Sequence, residues 1–169
     1  MTIYFGDGSS QGAAGLSGAG KVLQVKEDTM TGINSSYSQS WTDTDLQIAI
    51  TPSSSSSKIY IAAMVNASCQ STMLFRIVQS SNVMLVGAGS DPCMWAQAGN
   101  NWSTYYGYES AYLSYLDSPS TTSSITYKVQ YRNTHGNNYP IYLGRCARNG
   151  DTHYVWTTPN KITVMEVSG

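Results

Sequence analysis

The chain has 169 residues and a mass of 18.3 kDa, the size of one domain, with a formal net charge of −1. Charged residues make up only 11% of it, against about 25% in typical globular domains. Such balanced charge lacks the basic footprint of a duplex nucleic-acid binder, and no apolar run approaches the roughly 18–20 residues of a membrane span.

The surface that remains is uncharged and polar, supplied by 25 serines, 16 threonines, 15 glycines and 13 tyrosines. The first twenty residues stand apart. Gly6, Gly8, Gly12, Gly15, Gly18 and Gly20 sit among Ser, Ala and Gln, a composition that in isolation behaves as flexible coil. Neither a cationic stretch nor an apolar one opens the chain, so no secretory signal is predicted. Residues 1–20 read as an attachment arm ordered against a neighbouring chain, with Ile3, Tyr4 and Phe5 as its anchor; a tail ordered against its own domain is the alternative. Residues 21–169 form the folded domain. Gly15 to Val22 imitates a phosphate-cradling loop, but Val22 replaces the hydroxyl that would hold Mg²⁺, and strand rather than helix follows.

Helical periodicity is scarce and period-two alternation is plentiful. Residues 22–25 start the strands. Leu46, Ile48 and Ile50 alternate with polar or small neighbours, as do Ile59, Ile61, Ala63 and Val65. Shorter runs follow at 73–78, 83–86 and 111–116; Ile125, Tyr127, Val129 and Tyr131 make another alternating set, and runs at 141–143 and 162–167 close the series. With turn residues between them, these predict an all-β, antiparallel sandwich, jelly-roll-like, carrying a Gly-rich N-terminal arm.

One pattern occurs twice. An apolar strand ends at Pro52, five serines follow, and a new strand starts at Lys58; another ends at Pro119, five Ser or Thr residues follow, and a strand starts at Ile125. Proline cannot donate to a sheet ladder, and so long a polar run is a loop rather than a tight turn. Both loops suit arches that cross between two sheets, with two long hairpins as the alternative.

Chemistry-bearing constellations are thin. Cys69, Cys93 and Cys146 are odd in number and widely spaced, which predicts thiols in a reducing cytoplasm rather than a disulfide framework. No Gly-x-Ser-x-Gly elbow is present, and the carboxylates, including Asp43, Asp45, Glu109 and Asp117, nominate no catalytic pair. His135 with Asp151 and His153 is the one combination that could meet a metal at a chain interface, but loop histidines more often only hydrogen-bond, so no metal and no cofactor is expected. Asn34, Asn66 and Asn101 head Asn-x-Ser triplets that so Ser-rich a chain produces by chance.

The densest cluster is aromatic. Trp95 and Trp102 lie in a Gly/Asn-rich loop, followed by Tyr105, Tyr106 and Tyr108, then by Tyr112 and Tyr115 on a strand. Broad apolar rings with a polar tip suit both sugar stacking and wet protein interfaces, and Asp91, Gln97, Asn100 and Asn101 could match sugar hydroxyls. Two readings stay open: a glycan or receptor platform, and a subunit contact or core.

Four segments in order carry a resemblance: residues 20–25 (Gly-Lys-Val-Leu-Gln-Val), 48–53 with 57–59, 116–119 with 125–129, and 162–167 (Ile-Thr-Val-Met-Glu-Val). Together, over about residues 20–167, they resemble a β-sandwich module of tail-fibre-like and other surface proteins of bacteriophages, notably those of marine and cyanobacterial hosts. The resemblance implies a non-enzymatic virion structural protein, a homotrimer displayed on the particle and contacting other capsid or tail proteins. It would be made in the bacterial host cytoplasm, with no nucleic-acid partner and no membrane insertion. Longer fibre proteins carry a shaft before this module; a short arm here points also to a capsid decoration or cement protein, or a compact appendage. A host-surface glycan is the further partner that the aromatic cluster would add.

Overall fold

In the computed structural model, the described residues are 3–4 and 10–11 (backbone only), 20–69, 71–84, 93–97, 109–135, 139–146 and 157–169. Among them the chain forms strands β1 (Ile3–Tyr4), β2 (Ser10–Gln11), β3 (Val22–Met30), β4 (Asn34–Ser36), β5 (Thr42–Ile50), β6 (Lys58–Ser68) and β7 (Met73–Gln79). The series continues with β8 (Asn82–Val83), β9 (Trp95–Gln97), β10 (Glu109–Asp117), β11 (Ile125–Asn133), β12 (Ile141–Leu143) and β13 (Asn160–Val167).

Alternation decides which side of each strand is buried. In β5, Thr44, Leu46, Ile48 and Ile50 are buried while the residues between them are exposed. Ile59, Ile61, Ala63 and Val65 of β6 and Tyr127, Val129 and Tyr131 of β11 behave alike. Because side chains in a strand point to opposite faces in turn, each strand has one side to cover and one to show water. Two antiparallel sheets result, and their buried sides pack against each other around Phe75, Tyr127, Tyr131, Leu46, Ile61 and Leu113.

The first sheet runs β3-β13-β6-β10, with β12 and then β4 extending it from the far end of β6. The second runs β5-β11-β7-β8, with β9 also pairing on β7. Taking the eight strands β3, β5, β6, β7, β8, β10, β11 and β13 in chain order, the first, eighth, third and sixth make one sheet and the second, seventh, fourth and fifth the other. That interleaving of two Greek keys is the jelly roll.

Both serine-rich connections are arches. Residues 51–57 carry the chain from β5 in the second sheet to β6 in the first, and residues 118–124 carry it from β10 in the first to β11 in the second. Each is fastened by a carboxylate. Glu166, fully buried on β13, accepts hydrogen bonds from the Ser53 amide (2.7 Å), the Ser53 hydroxyl (2.6 Å) and Gln24 Nε2 (2.6 Å). Asp117 at the end of β10 accepts from the buried Tyr127 phenol at 2.6 Å. Burial, followed by that bond to a carboxylate, pushes the Tyr127 phenol far above its usual range, so it stays a donor.

Three departures from simple alternation have local causes. Between Gln47 and Asp43, β5 places three residues against Val129 alone, and the Thr44 hydroxyl repairs the ladder by donating to the Val129 carbonyl and accepting from the Leu46 amide. Of the expected run at 83–86, only Val83 lies in a strand, Asn82–Val83; the Met84 amide still donates to the Ile77 carbonyl at 3.0 Å, and residues 85–86 lie outside the description. Trp95–Gln97, expected in a loop, forms a short strand on β7 because Trp95 packs its ring 5.6 Å from Phe75.

Candidate functional site

The residues singled out from the sequence separate in space. Trp95 is half-buried against the core, with its ring tilted 49° to Phe75. Trp102, Tyr105, Tyr106 and Tyr108 lie outside the described residues, as do Asp91, Asn100 and Asn101. Tyr115 packs against the core from β10, whereas Tyr112, three residues away on the opposite face, is 62% exposed. In the N-terminal segment, Ile3 and Tyr4 pair through their backbones with Gln11 and Ser10, and Phe5 lies outside the description. The arm leaves the sandwich at Gly20, whose amide donates to the Ser168 carbonyl and whose φ of 98° suits glycine.

His135 hydrogen-bonds through its ring to Thr134 and through its amide to Asn133; Asp151 and His153 are outside the description. Among the described residues no group of three or more His, Cys, Asp or Glu is placed to hold a metal ion. The three cysteines form no disulfide with one another, and burial pushes the Cys69 thiol up. Asn66 is 8% exposed and its amide is fully engaged, donating to the Pro159 carbonyl (2.8 Å) and accepting from Ser110 (2.6 Å); it joins strands and offers nothing for glycan attachment.

What the topology does assemble is an outward surface that the sequence did not reveal. In the first sheet Val25 lies opposite Met165, Met165 opposite Tyr60, and Tyr60 opposite Leu116. Residues directly opposite in antiparallel strands share a face, so these four side chains form one apolar row across β3, β13, β6 and β10. It points away from the core. Val25 is 55% and Leu116 49% exposed, and Val22, Leu23, Met64 and Tyr112 add further exposed apolar surface on the same sheet.

Local chemistry keeps the row ordered. Two registers along, Tyr112 pairs with Met64, and the Tyr60 and Tyr112 hydroxyls meet at 3.1 Å across the intervening small pair Ala62 and Ser114. Lys161 and Glu27 make an ion pair at 2.9 Å beside it. Among the described residues β3 and β10 pair on one side only, leaving both long edges of this sheet open. An exposed apolar stripe flanked by open strand edges can bury area against another protein surface, by face contact or by strand addition.

The outward face of the second sheet is built differently. Asp43 accepts from Lys128 Nζ (2.8 Å) and Gln130 Nε2 (2.7 Å), Gln130 accepts in turn from Arg76 Nε (2.8 Å), and Arg132 Nε donates to the Gln39 carbonyl (2.6 Å). The Arg76 guanidinium lies 4.0 Å over the Trp41 ring. Lys128, and then Gln130, hold the Asp43 carboxyl below its usual range. Comparison with known proteins found no matching family model and no matching curated sequence.

Proposed function

We propose that this chain is a non-enzymatic structural protein of a bacteriophage virion, displayed on the particle surface as a fibre, appendage or decoration subunit. It works as a homotrimer, anchored through residues 1–20. The observation that carries the reading is the Val25–Met165–Tyr60–Leu116 row, an apolar face crossing four strands of a sheet with two open edges. Apolar side chains so placed gain by leaving water, at roughly 25 cal/mol per Å² buried. Obligate subunit interfaces bury about 2,000 Å² or more, a scale that a whole sheet face with its edges can approach. The jelly roll itself serves capsid and lectin domains, a fold-level analogy that agrees with a displayed, adhesive role.

In this reading the mechanism is mechanical. The first sheet meets neighbouring subunits, the polar face of the second meets solvent, and the arm docks on capsid or tail. Deleting residues 1–20 is expected to leave the sandwich folded, with unchanged circular dichroism, and to abolish incorporation into particles. Normal incorporation of the truncated chain would contradict the anchoring role.

A further inference from the structure

On one flank of the sandwich two edge strands lie side by side, β3 of the first sheet and β5 of the second. They belong to different sheets, yet side chains join them. Gln24 Nε2 donates to the Thr51 carbonyl (2.8 Å), Lys26 Nζ donates to the Ala49 carbonyl (3.1 Å), and the Asp28 carboxylate accepts from the Gln47 amide (3.3 Å). Every second residue of β3 thus meets every second residue along β5, in antiparallel order. In a strand that pairs on one side, alternate residues turn both backbone groups away from the partner. Since β5 pairs with β11, Gln47, Ala49 and Thr51 are the residues that present its free edge, and β3 covers them.

The charges doing this sit on the side of β3 that faces the second sheet. Opposite Lys26 and Asp28 on β13 lie Val164 and Ile162, both fully buried, and directly opposite residues share a face. Gln24, opposite Glu166, is fixed by its bond to that carboxylate at 2.6 Å. At the other flank, the core-facing positions of β10 carry Ala111, Leu113 and Tyr115 instead. A free strand edge is a template on which another chain can add a strand, and inward-pointing charges, lysine above all, are a recognised means of refusing one.

We infer that Gln24, Lys26 and Asp28 form a guard that closes the β5 edge to strand addition by a second copy of this chain. An arriving strand needs the Gln47 amide and the Ala49 carbonyl for its own ladder. It has to displace the Asp28 carboxylate and the Lys26 ammonium, which then lose their backbone partners and their water together. The bonds are exposed to solvent, so their part is to exclude a strand rather than to hold the fold. The guard acts on the second sheet and does not depend on how the apolar row of the first is used.

The test compares the full-length chain with two double variants, Lys26→Ala with Asp28→Ala in the guard and Lys128→Ala with Asp43→Ala on the polar face. Each loses one positive and one negative side chain, so net charge is kept. Light scattering at rising protein concentration reads the mass, and amide hydrogen exchange reads the edge. The guard variant is expected to keep the wild-type circular dichroism and to reach a mass at least about twofold above wild type, rising with concentration. The polar-face variant is expected to match wild type. In the larger species the Gln47 and Ala49 amides should exchange severalfold more slowly than in the dilute variant, because a new strand covers them. Should the double variant fail to fold, Lys26→Met, which keeps the apolar stem and loses the ammonium, carries the same comparison. A folded guard variant with wild-type mass at every concentration would overturn the inference. So would larger species in which the Gln47 and Ala49 amides exchange as fast as in the dilute variant.

Discussion

The two outward faces of this sandwich share a core and differ in how they are finished. On the second sheet nearly every long side chain is spoken for: Asp43 collects Lys128 and Gln130, Gln130 collects Arg76, Arg76 covers Trp41 and Arg132 reaches Gln39. On the first sheet one ion pair and one pair of phenols border a row of apolar side chains that meets water. A surface whose polar groups are mutually satisfied gains little by meeting another protein, because desolvation cancels what new contacts return. An apolar row has no such cost, so the proposed assembly would use the first face and leave the second to solvent.

The most damaging change reaches both faces at once. Phe75 is fully buried between the sheets, and Phe75→Ala should cost about 3–5 kcal/mol, enough to unfold much of a marginally stable domain; urea denaturation reads it directly. A more selective break uses Val25→Glu with Leu116→Glu. Both residues are about half exposed, so the fold should survive, while carboxylates pressed together in a subunit contact cost several kcal/mol and should reduce the assembly to monomer. Retention of the assembled mass by this variant would move the interface elsewhere.

Between the faces, Glu166 offers a pH handle on the first arch. Burial pushes its carboxyl up, but the hydrogen bonds from Ser53 and Gln24 outweigh burial and hold it at about 2, below the ordinary 4.5. A depressed folded-state value means that the stabilisation is complete above about pH 4.5 and is lost as pH falls towards 2. A depression of this size corresponds to a contribution on the order of 3 kcal/mol at most. Glu166→Gln should remove that acid-dependent slope in urea titrations between pH 5 and pH 2.5; an unchanged slope would assign it to other groups. The smallest effect belongs to the polar face. Its Lys128–Asp43 pair is about a third to a half exposed, so Asp43→Asn should cost about 0.2–1 kcal/mol and leave the assembly intact.

Much of the fold was legible in the residues. Leu46, Ile48 and Ile50 announce a half-buried strand by alternation alone, and Pro52 and Pro119 with their five-residue Ser/Thr runs mark both arches, since proline ends a ladder and such a loop spans two sheets. Less was legible where the chain does not bury apolar surface. Residues 26–30 continue β3 with Lys, Glu and Asp because an edge strand is wet on both faces, and Asn34–Ser36 forms β4 with no apolar residue at all. The apolar row was hidden for another reason. Its members belong to four strands, and alternation shows Val25 or Leu116 only as one exposed apolar residue; the pairing of β3 with β13, at opposite ends of the chain, is what aligns them.

The division of labour between the two faces is tested most directly by the mass of the purified full-length protein, measured by light scattering coupled to size exclusion. A mass three times the 18.3 kDa of the chain, falling to that of one chain in the Val25→Glu, Leu116→Glu variant and unchanged in Asp43→Asn, is the predicted result. A wild-type protein that stays at 18.3 kDa at every concentration would contradict it.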